Sequence, residues 1–151
     1  MADSKSAEIR FRAAGAADAE AIAGVLRASL SSHGWMPVLH TPQEDLAFIR
    51  DIVLPHQAVT VAEAEGAIVG FIAVKESWID QFYLAPDWTD QGIGSRLLEQ
   101  ATGGMGEAKL YCFQANAGAR RFYERHGFRV AASRSGLANE EGLPDLLYVR
   151  R

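Results

Sequence analysis

The chain has 151 residues, 48% of them apolar and 23% charged, and its 15 basic and 19 acidic side chains give a net charge of −4. This composition excludes disorder and predicts one domain over residues 1–151. The mild acidity argues against nucleic-acid binding, because phosphate binding needs a basic face. The longest apolar run, Ala67–Val74, is too short to cross a membrane. The polar N-terminus predicts no signal peptide. Since Cys112 is the single cysteine, we expect no disulfide, no metal site and a cytoplasmic location.

The N-terminal third predicts a strand and two helices. Ile9–Ala13 alternates apolar and polar residues as a strand does. Asp18–Leu30 has apolar residues at helical spacing, with Asp18 as the predicted N-cap. Thr41–Glu44 predicts a capping box with proline at the first helical position, and the helix that it opens should end near Pro55.

The rest of the chain predicts a mixed sheet. Ala58–Ala64 and Ala67–Val74 flank Glu65-Gly66, which is typical of a hairpin turn, and Trp78–Leu84 forms a further strand. A helix, a strand, a helix and two strands follow, at residues 95–101, 110–113, 116–126, 130–133 and 146–149. The predicted order is β-α-α-β-β-β-α-β-α-β-β, an α/β class with helices on the faces of a mixed sheet.

The segment Pro86–Ser95 joins a strand to a helix through a turn that contains two glycines. The free N–H groups of a helix start attract phosphate, and glycines allow a ligand to approach the backbone. The alternative is a tight turn that binds nothing. No lysine follows as in a Walker loop, and Leu97 stands where a dinucleotide loop needs its third glycine.

The segment Asn116–Phe128 predicts a helix with an aromatic face. Phe122 and Tyr123 share this face, while the arginines lie on the opposite side. Gly127 is expected in the left-handed position of a Schellman motif, with Phe128 packed back on the helix. Taken alone, this pattern is also that of core aromatics beside a solvated face.

Together the two segments resemble the signatures of the GNAT superfamily of N-acetyltransferases. The first signature, Arg/Gln-x-x-Gly-x-Gly/Ala, corresponds to Thr89–Gly94, with Thr89 in place of the usual Arg or Gln. The second signature, Asn-x-x-Ala-x-x-Phe-Tyr-x-x-x-Gly-Phe, is matched in full by Asn116, Ala119, Phe122, Tyr123, Gly127 and Phe128. The resemblance extends over nearly the whole chain and implies the GNAT-like acyl-CoA N-acyltransferase fold.

The resemblance implies acetyl-CoA as co-substrate. Its pyrophosphate would lie on the backbone N–H groups of Gln91 to Ser95, and Thr89 would not supply the side-chain hydrogen bond that the usual Arg or Gln makes to it. Its pantetheine arm would pair with the strand edge at Phe82–Leu84, and Asn116 would flank the arm. The implied cofactor-binding residues are Phe82, Tyr83, Leu84, Thr89, Asp90, Gln91, Gly92, Ile93, Gly94, Ser95, Asn116, Ala119 and Tyr123.

The resemblance also assigns the catalytic acid, since the tyrosine at position 123 donates a proton to the departing CoA thiolate. The reference pKa of tyrosine is near 10 and that of a thiol near 8.5, so a tyrosine remains protonated at neutral pH. Direct attack by the amine requires no covalent enzyme intermediate, and we interpret Cys112 as a buried structural thiol. Asp80 is the predicted general base, with Glu76 or a water chain as alternatives, and the other interpretation of Asp80 is a solvent-facing or structural carboxylate.

The acceptor is expected to be a primary amine, on a small molecule or a protein, and the sequence does not choose between them. His33, Trp35, Met36 and His40 lie in a loop that borders the acceptor site in this fold. The resemblance implies a homodimer. Two alternatives to the enzyme remain: a non-catalytic acyl-CoA-binding module on the same fold, and a nucleotide-phosphate-binding α/β domain.

Overall fold

The computed structural model describes residues 8–151; the N-terminal residues that predict no signal peptide lie outside this range. The elements are β1 (Ile9–Ala13), α1 (Ala19–Ser31), α2 (Pro42–Phe48), α3 (Leu54–His56), β2 (Ala58–Ala64), β3 (Ala67–Lys75), β4 (Trp78–Leu84), α4 (Ile93–Thr102), β5 (Ala108–Phe113), α5 (Ala117–Arg125), β6 (Arg129–Arg134) and β7 (Asp145–Arg150). A π-helical turn, Ile49–Val53, joins α2 to the single turn α3. The predicted order of elements is confirmed.

The seven strands form one mixed sheet in the order β1-β2-β3-β4-β5-β7-β6. All neighbours are antiparallel except β4 and β5, which are parallel. The predicted hairpin between β2 and β3 is confirmed: Glu65 and Gly66 both have positive φ, 54° and 80°, as a two-residue hairpin turn of the mirror-image type requires.

Two apolar clusters cover the two faces of the sheet. On one face, Ile22 of α1 and the π-helical residues Ile49 and Val53 pack on β2 and β3. On the other face, α4 contributes Leu97 and Leu98, which pack against residues of β3, β5 and β7. The helices therefore lie on both sides of the sheet, as the sequence predicts. Across residues 8–151, no helix combines the length and apolar character that crossing a membrane requires.

The start of α2 confirms the predicted capping box. The Thr41 hydroxyl accepts from the Glu44 N–H at 3.1 Å, and the Glu44 carboxylate accepts from the Thr41 N–H at 2.8 Å. Asp18 is the N-cap residue of α1, as predicted, but its side chain makes no capping hydrogen bond to this helix. Its carboxylate accepts from the Gly15 N–H at 2.8 Å and pairs with Arg12, because a 3-10 turn precedes α1 and draws the side chain backwards.

Strands β4 and β5 diverge, and this divergence creates the principal cleft. Their ladder contains one residue pair, Trp78 with Lys109, and the Lys109 N–H donates to the Ser77 carbonyl at 2.8 Å. From Ile79 to Leu84, β4 is paired with β3 on one edge, and no strand within residues 8–151 pairs with the other. Unpaired strand edges expose N–H and C=O groups that can bind an extended ligand.

Candidate active site

A cleft of about 650 Å³ lies between the diverging strands β4 and β5. It extends from the start of α4, past α5, to the loop after α1. The cleft collects every predicted site residue except Gln91 and Ile93: Asp80, Phe82, Tyr83, Leu84, Thr89, Asp90, Gly92, Gly94, Ser95, Asn116, Ala119 and Tyr123.

One end of the cleft is the N-terminus of α4. Gly92 caps the helix with φ +81°, a conformation that glycine adopts without a steric penalty. The first helical bond runs from the Arg96 N–H to the Gly92 carbonyl at 3.2 Å, so the preceding N–H groups have no intrahelical acceptor. Ile93 offers only its backbone, because its side chain is buried in the core. The Gln91 side chain donates to the Asp87 carbonyl at 3.1 Å.

Thr89 and Arg125 are the two side chains that bear on the charge at this end of the cleft. The Thr89 hydroxyl is engaged locally, donating to the Pro86 carbonyl at 3.0 Å. Arg125 of α5 lines the cleft, with its guanidinium 5.8 Å from the centroid of the Phe122 ring. Arg125 therefore borders the cleft, although the sequence places it on the side of α5 opposite the aromatic residues.

Gly94 marks a close approach between α4 and its neighbours. A β-carbon there would lie 3.4 Å from Phe122 and 3.5 Å from Leu84, which is ordinary van der Waals contact. A larger side chain would have to displace one of these cleft-lining residues. The absent side chain at Gly94 thus maintains the shape of the cleft as well as access to the helix start.

The aromatic face of α5 packs as predicted. The Asn116 carboxamide oxygen caps the helix by accepting from the Ala119 N–H at 3.1 Å. At the other end, the Phe128 N–H donates to the Tyr123 carbonyl at 3.0 Å, and Gly127 has φ +88°. These features confirm the Schellman motif, and the Phe128 ring packs 5.6 Å from the Tyr123 ring, centroid to centroid.

Tyr123 is held by aromatic contacts and presents its hydroxyl to the cleft. Its ring centroid lies 5.4 Å from that of Phe122, 6.0 Å from that of Tyr148 and 6.3 Å from that of Phe82. None of the side-chain hydrogen bonds within residues 8–151 involves the Tyr123 hydroxyl, which leaves it available to a ligand. Burial raises the pKa of Tyr123 far above its ordinary value, and the nearby Cys112 and Tyr83 add to the shift. The group therefore remains a hydrogen-bond donor at any physiological pH.

Asp80 lies on a β-bulge of β4. The register with β3 steps from Gln81 directly to Ile79, which leaves Asp80 without a partner and turns its carboxylate into the cleft. Gln57 donates to this carboxylate at 2.8 Å. The side-chain Oε1 of Gln57 is buried and has no hydrogen-bond partner within residues 8–151. Glu76 lies in the β3–β4 turn with φ +56°, outside the cleft.

The far end of the cleft has aromatic walls. Trp35 stacks on His33 with ring centroids 4.9 Å apart and meets Phe113 of β5 edge-on at 5.8 Å. Tyr83 completes this end from β4, and its pKa is raised to about 12 by burial and by the carboxylates of Glu141 and Asp80. This end is therefore apolar at its walls and negative in its surroundings.

The predicted loop residues take different positions. His33, Trp35 and Met36 line the cleft, whereas His40 lies beside it and pairs with Glu140 at 2.9 Å. Cys112 is buried, as predicted, and burial raises its pKa to about 12. A thiol with this pKa is a poor nucleophile at neutral pH.

Sequence reasoning missed two contacts that complete the site. Gln57 precedes β2 and gives no motif signal, yet it holds Asp80. His126 lies 2.9 Å from the Ser95 hydroxyl at the start of α4, although 31 residues separate the two in the chain. A histidine near a helix end is common, and only the packing of α5 against α4 shows what this one touches.

The structure thus combines a mixed sheet that splits between β4 and β5 with a helix start at one end of the split. The sequence model of the acetyltransferase (GNAT) domain family matches residues 55–130, half of the chain. The chain belongs to this family.

Curated relatives resemble parts of the chain. An uncharacterized N-acetyltransferase of Archaeoglobus fulgidus is 32% identical over 87 residues, 47% of this chain and 59% of the relative. The peptidyl-lysine N-acetyltransferase YiaC of Escherichia coli is 27% identical over 86 residues, 56% of this chain and 59% of the relative. The matches thus span less than two thirds of either relative.

Solved structures share the fold over nearly the whole chain. The apo form of Escherichia coli YjaB superposes with a TM-score of 0.76 at 23% identity, covering 94% of this chain and 97% of that one. The PaiA N-acetyltransferase of Thermoplasma acidophilum, solved with coenzyme A, gives a TM-score of 0.70 at 20% identity, covering 95% and 99%. At these identities the likeness establishes the fold.

Proposed function

We propose that this protein transfers an acetyl group from acetyl-CoA to a primary amine, by direct attack within a ternary complex. The observation that carries the proposal is the cleft itself. It contains a helix start with free N–H groups, an unpaired strand edge and the Tyr123 hydroxyl along one path.

The path suits the parts of acetyl-CoA in turn. The pyrophosphate would accept hydrogen bonds from the first N–H groups of α4, with Arg125 nearby to balance its charge. The pantetheine amides would pair with the free edge of β4 at Phe82–Leu84, in the manner of an added strand. The coenzyme A complex of the PaiA enzyme supports this choice of ligand for the shared fold.

An amine that arrives as an ammonium ion first loses one proton to solvent, because only a neutral nitrogen can attack, and the transfer itself then requires two proton movements. The amine nitrogen attacks the thioester carbon, a C–N bond forms, and the C–S bond breaks to release the thiolate. The nitrogen loses a proton to the Asp80 carboxylate, directly or through water, and the departing sulfur receives a hydrogen bond and a proton from the Tyr123 hydroxyl. The raised pKa of Tyr123 keeps that hydroxyl protonated until the thiolate forms.

The acceptor end supports a particular kind of amine. Its walls are aromatic, and the carboxylates of Asp80 and Glu141 both act on Tyr83. Among the described residues that line the cleft, the one Arg or Lys is Arg125, at the phosphate end. We therefore propose an ammonium group on an apolar arm, without a carboxylate beside it, because such a group gains from aromatic and anionic surroundings.

A thermal-shift comparison tests the co-substrate. A ligand at a hundredfold excess over its Kd stabilises the native state by about 2.7 kcal/mol, so acetyl-CoA and CoA should each raise Tm by several degrees. ATP and NAD serve as matched controls. A clear shift with ATP and none with CoA would support the nucleotide-binding alternative and reject the acetyltransferase.

An amine panel with thiol-release detection tests the acceptor. Tryptamine and a lysine-containing peptide each present an ammonium group on an apolar arm, one as a small molecule and the other on a peptide. Glutamate, which has carboxylates, and spermidine, which has several positive charges, are the comparison amines. Trp35→Ala should raise the KM of the preferred amine about tenfold with an unchanged KM for acetyl-CoA, because the aromatic wall lies at the acceptor end alone. Release of thiol with none of the amines, in a protein that binds acetyl-CoA, would favour the non-catalytic acyl-CoA-binding module.

The homodimer also stays a prediction. Strands β1 and β6 are the sheet edges, and β6 exposes Val130 at 47%. Light scattering during gel filtration distinguishes a monomer of 16.4 kDa from a dimer.

A further inference from the structure

His126 connects the C-terminus of α5 to the start of α4. It is the C-cap residue of α5 and is partly buried. Its Nδ1 lies 2.8 Å from the Phe122 carbonyl oxygen, and its Nε2 lies 2.9 Å from the Ser95 hydroxyl oxygen. Ser95 stands in the first turn of α4 and lines the cleft.

These two contacts determine where the hydrogens lie. A carbonyl oxygen can only accept, so Nδ1 carries a hydrogen and donates to Phe122. In the neutral imidazole, Nε2 is then an acceptor, and the Ser95 hydroxyl must donate to it. In this state the Ser95 hydrogen points at His126 and cannot bond to a phosphate oxygen.

Protonation of the imidazole reverses the second bond. Nε2 then carries a hydrogen and donates to the Ser95 oxygen, which frees the Ser95 hydrogen to donate into the cleft. The same proton places a positive charge one hydroxyl away from the helix start. A hydrogen bond between a hydroxyl and a phosphate is charge-assisted and therefore stronger than one between neutral groups.

We propose that His126 takes up a proton from solvent when phosphate groups bind at the start of α4, and that Ser95 relays this change to the ligand. The proposal rests on the proposed function, since it concerns the phosphate groups of acetyl-CoA. It makes His126 a positioning residue for the co-substrate. Because binding takes up a proton, the affinity for acetyl-CoA rises as the pH falls from 8 to 6.

The charged groups that the structure shows beside His126 are cations. From β7, Arg150 donates to the His126 backbone carbonyl at 3.4 Å, and on α5 the neighbouring Arg125 adds a second cation. The bound phosphates add negative charge to this group, which favours the imidazolium.

Isothermal titration calorimetry in two buffers of different ionisation enthalpy measures the proton uptake. Acetyl-CoA is the probe because its thiol is blocked. Wild type at pH 7 should take up at least about 0.3 proton more than His126→Gln, which keeps a polar side chain but cannot titrate. Wild-type affinity should also rise about threefold more than that of His126→Gln between pH 8 and pH 6. Protons taken up by the 3′-phosphate of acetyl-CoA contribute equally to both proteins and cancel in the difference between their uptakes.

A second variant isolates the relay. Ser95→Ala keeps His126 but removes the hydroxyl, and we expect at least half of the extra proton uptake to disappear. Equal uptake by wild type and His126→Gln would overturn the proposal. Proton uptake by Ser95→Ala equal to that of wild type would overturn the relay through Ser95. This comparison does not need the His126→Gln protein, so it tests the relay even if that variant does not fold. Failure of wild type to bind acetyl-CoA would instead overturn the proposed function.

Discussion

The two ends of the cleft are built in different ways. The phosphate end consists largely of backbone, since the N–H groups of the first turn of α4 come from one short segment after Gly92. The acceptor end consists of side chains from distant parts of the chain, such as Trp35 from the loop after α1 and Phe113 from β5. Substitutions can remove the side chains at the acceptor end, whereas they leave the backbone N–H groups at the phosphate end in place.

This difference between the two ends predicts which step, acetyl-CoA binding or amine selection, each substitution affects. Changes at the phosphate end should alter acetyl-CoA binding and leave the choice of amine intact. Changes at the acceptor end should do the reverse. Tyr123 lies between the ends, so its removal should affect turnover and neither binding constant.

The largest effect is expected for Tyr123→Phe. The ring contacts with Phe122 and Phe128 survive, so Tm and acetyl-CoA affinity should change little. Loss of the acid should lower kcat by about 10²- to 10⁴-fold, measured as a single-turnover rate. Turnover within about threefold of wild type would mean that water protonates the thiolate, and Tyr123 would lose its catalytic assignment.

Asp80→Asn should give the next largest loss. We expect kcat/KM for the amine to fall about 10²-fold, because the carboxamide cannot accept the amine proton, with the Kd of acetyl-CoA unchanged. The loss should shrink at high pH, where more of the amine arrives neutral. Glu76→Gln is the matched control, and an equal loss there would contradict the assignment of the base to Asp80.

Gly94→Val tests the phosphate end. The added methyl groups must displace Phe122 or Leu84, so acetyl-CoA binding should weaken at least about tenfold, with some loss of Tm. Gly94→Ala should bind nearly normally, since its β-carbon makes ordinary contacts. Calorimetry on both variants provides the measurement. Wild-type affinity in a folded Gly94→Val protein would show that the phosphates bind elsewhere.

The smallest effect concerns the His40–Glu140 pair beside the acceptor end. Glu140 raises the pKa of His40, with smaller contributions from Glu44 and Asp45. The pair therefore stabilises the fold fully below the ordinary histidine pKa of about 6.5, and this stability is lost as the pH rises through the raised value. Because both side chains are exposed, we expect His40→Gln to lower Tm by no more than a few degrees at pH 6. The difference should vanish at high pH; one that persists there would rule out the ion pair as its source.

Local signals in the sequence determined most of the fold. The capping box at Thr41, the Glu65-Gly66 turn and the Schellman end at Gly127 are decided by neighbouring residues, and each is observed. The glycine turn before α4 could be predicted for the same reason, since it too depends on neighbouring residues. Asp18 shows where this reasoning fails: its carboxylate had a local role available at α1, but Arg12 and the Gly15 N–H bind it instead.

Only the tertiary structure decided how the site is assembled. The contacts of Gln57 with Asp80, His126 with Ser95 and Trp35 with Phe113 each join residues from separate elements. The opening between β4 and β5 likewise depends on a ladder that stops after one pair. Periodicity and capping act over a few residues along the chain, whereas these contacts depend on how helices and strands pack. The sequence by itself therefore determined the glycine turn and helix start at one end of the cleft, and packing determined the side chains that complete it.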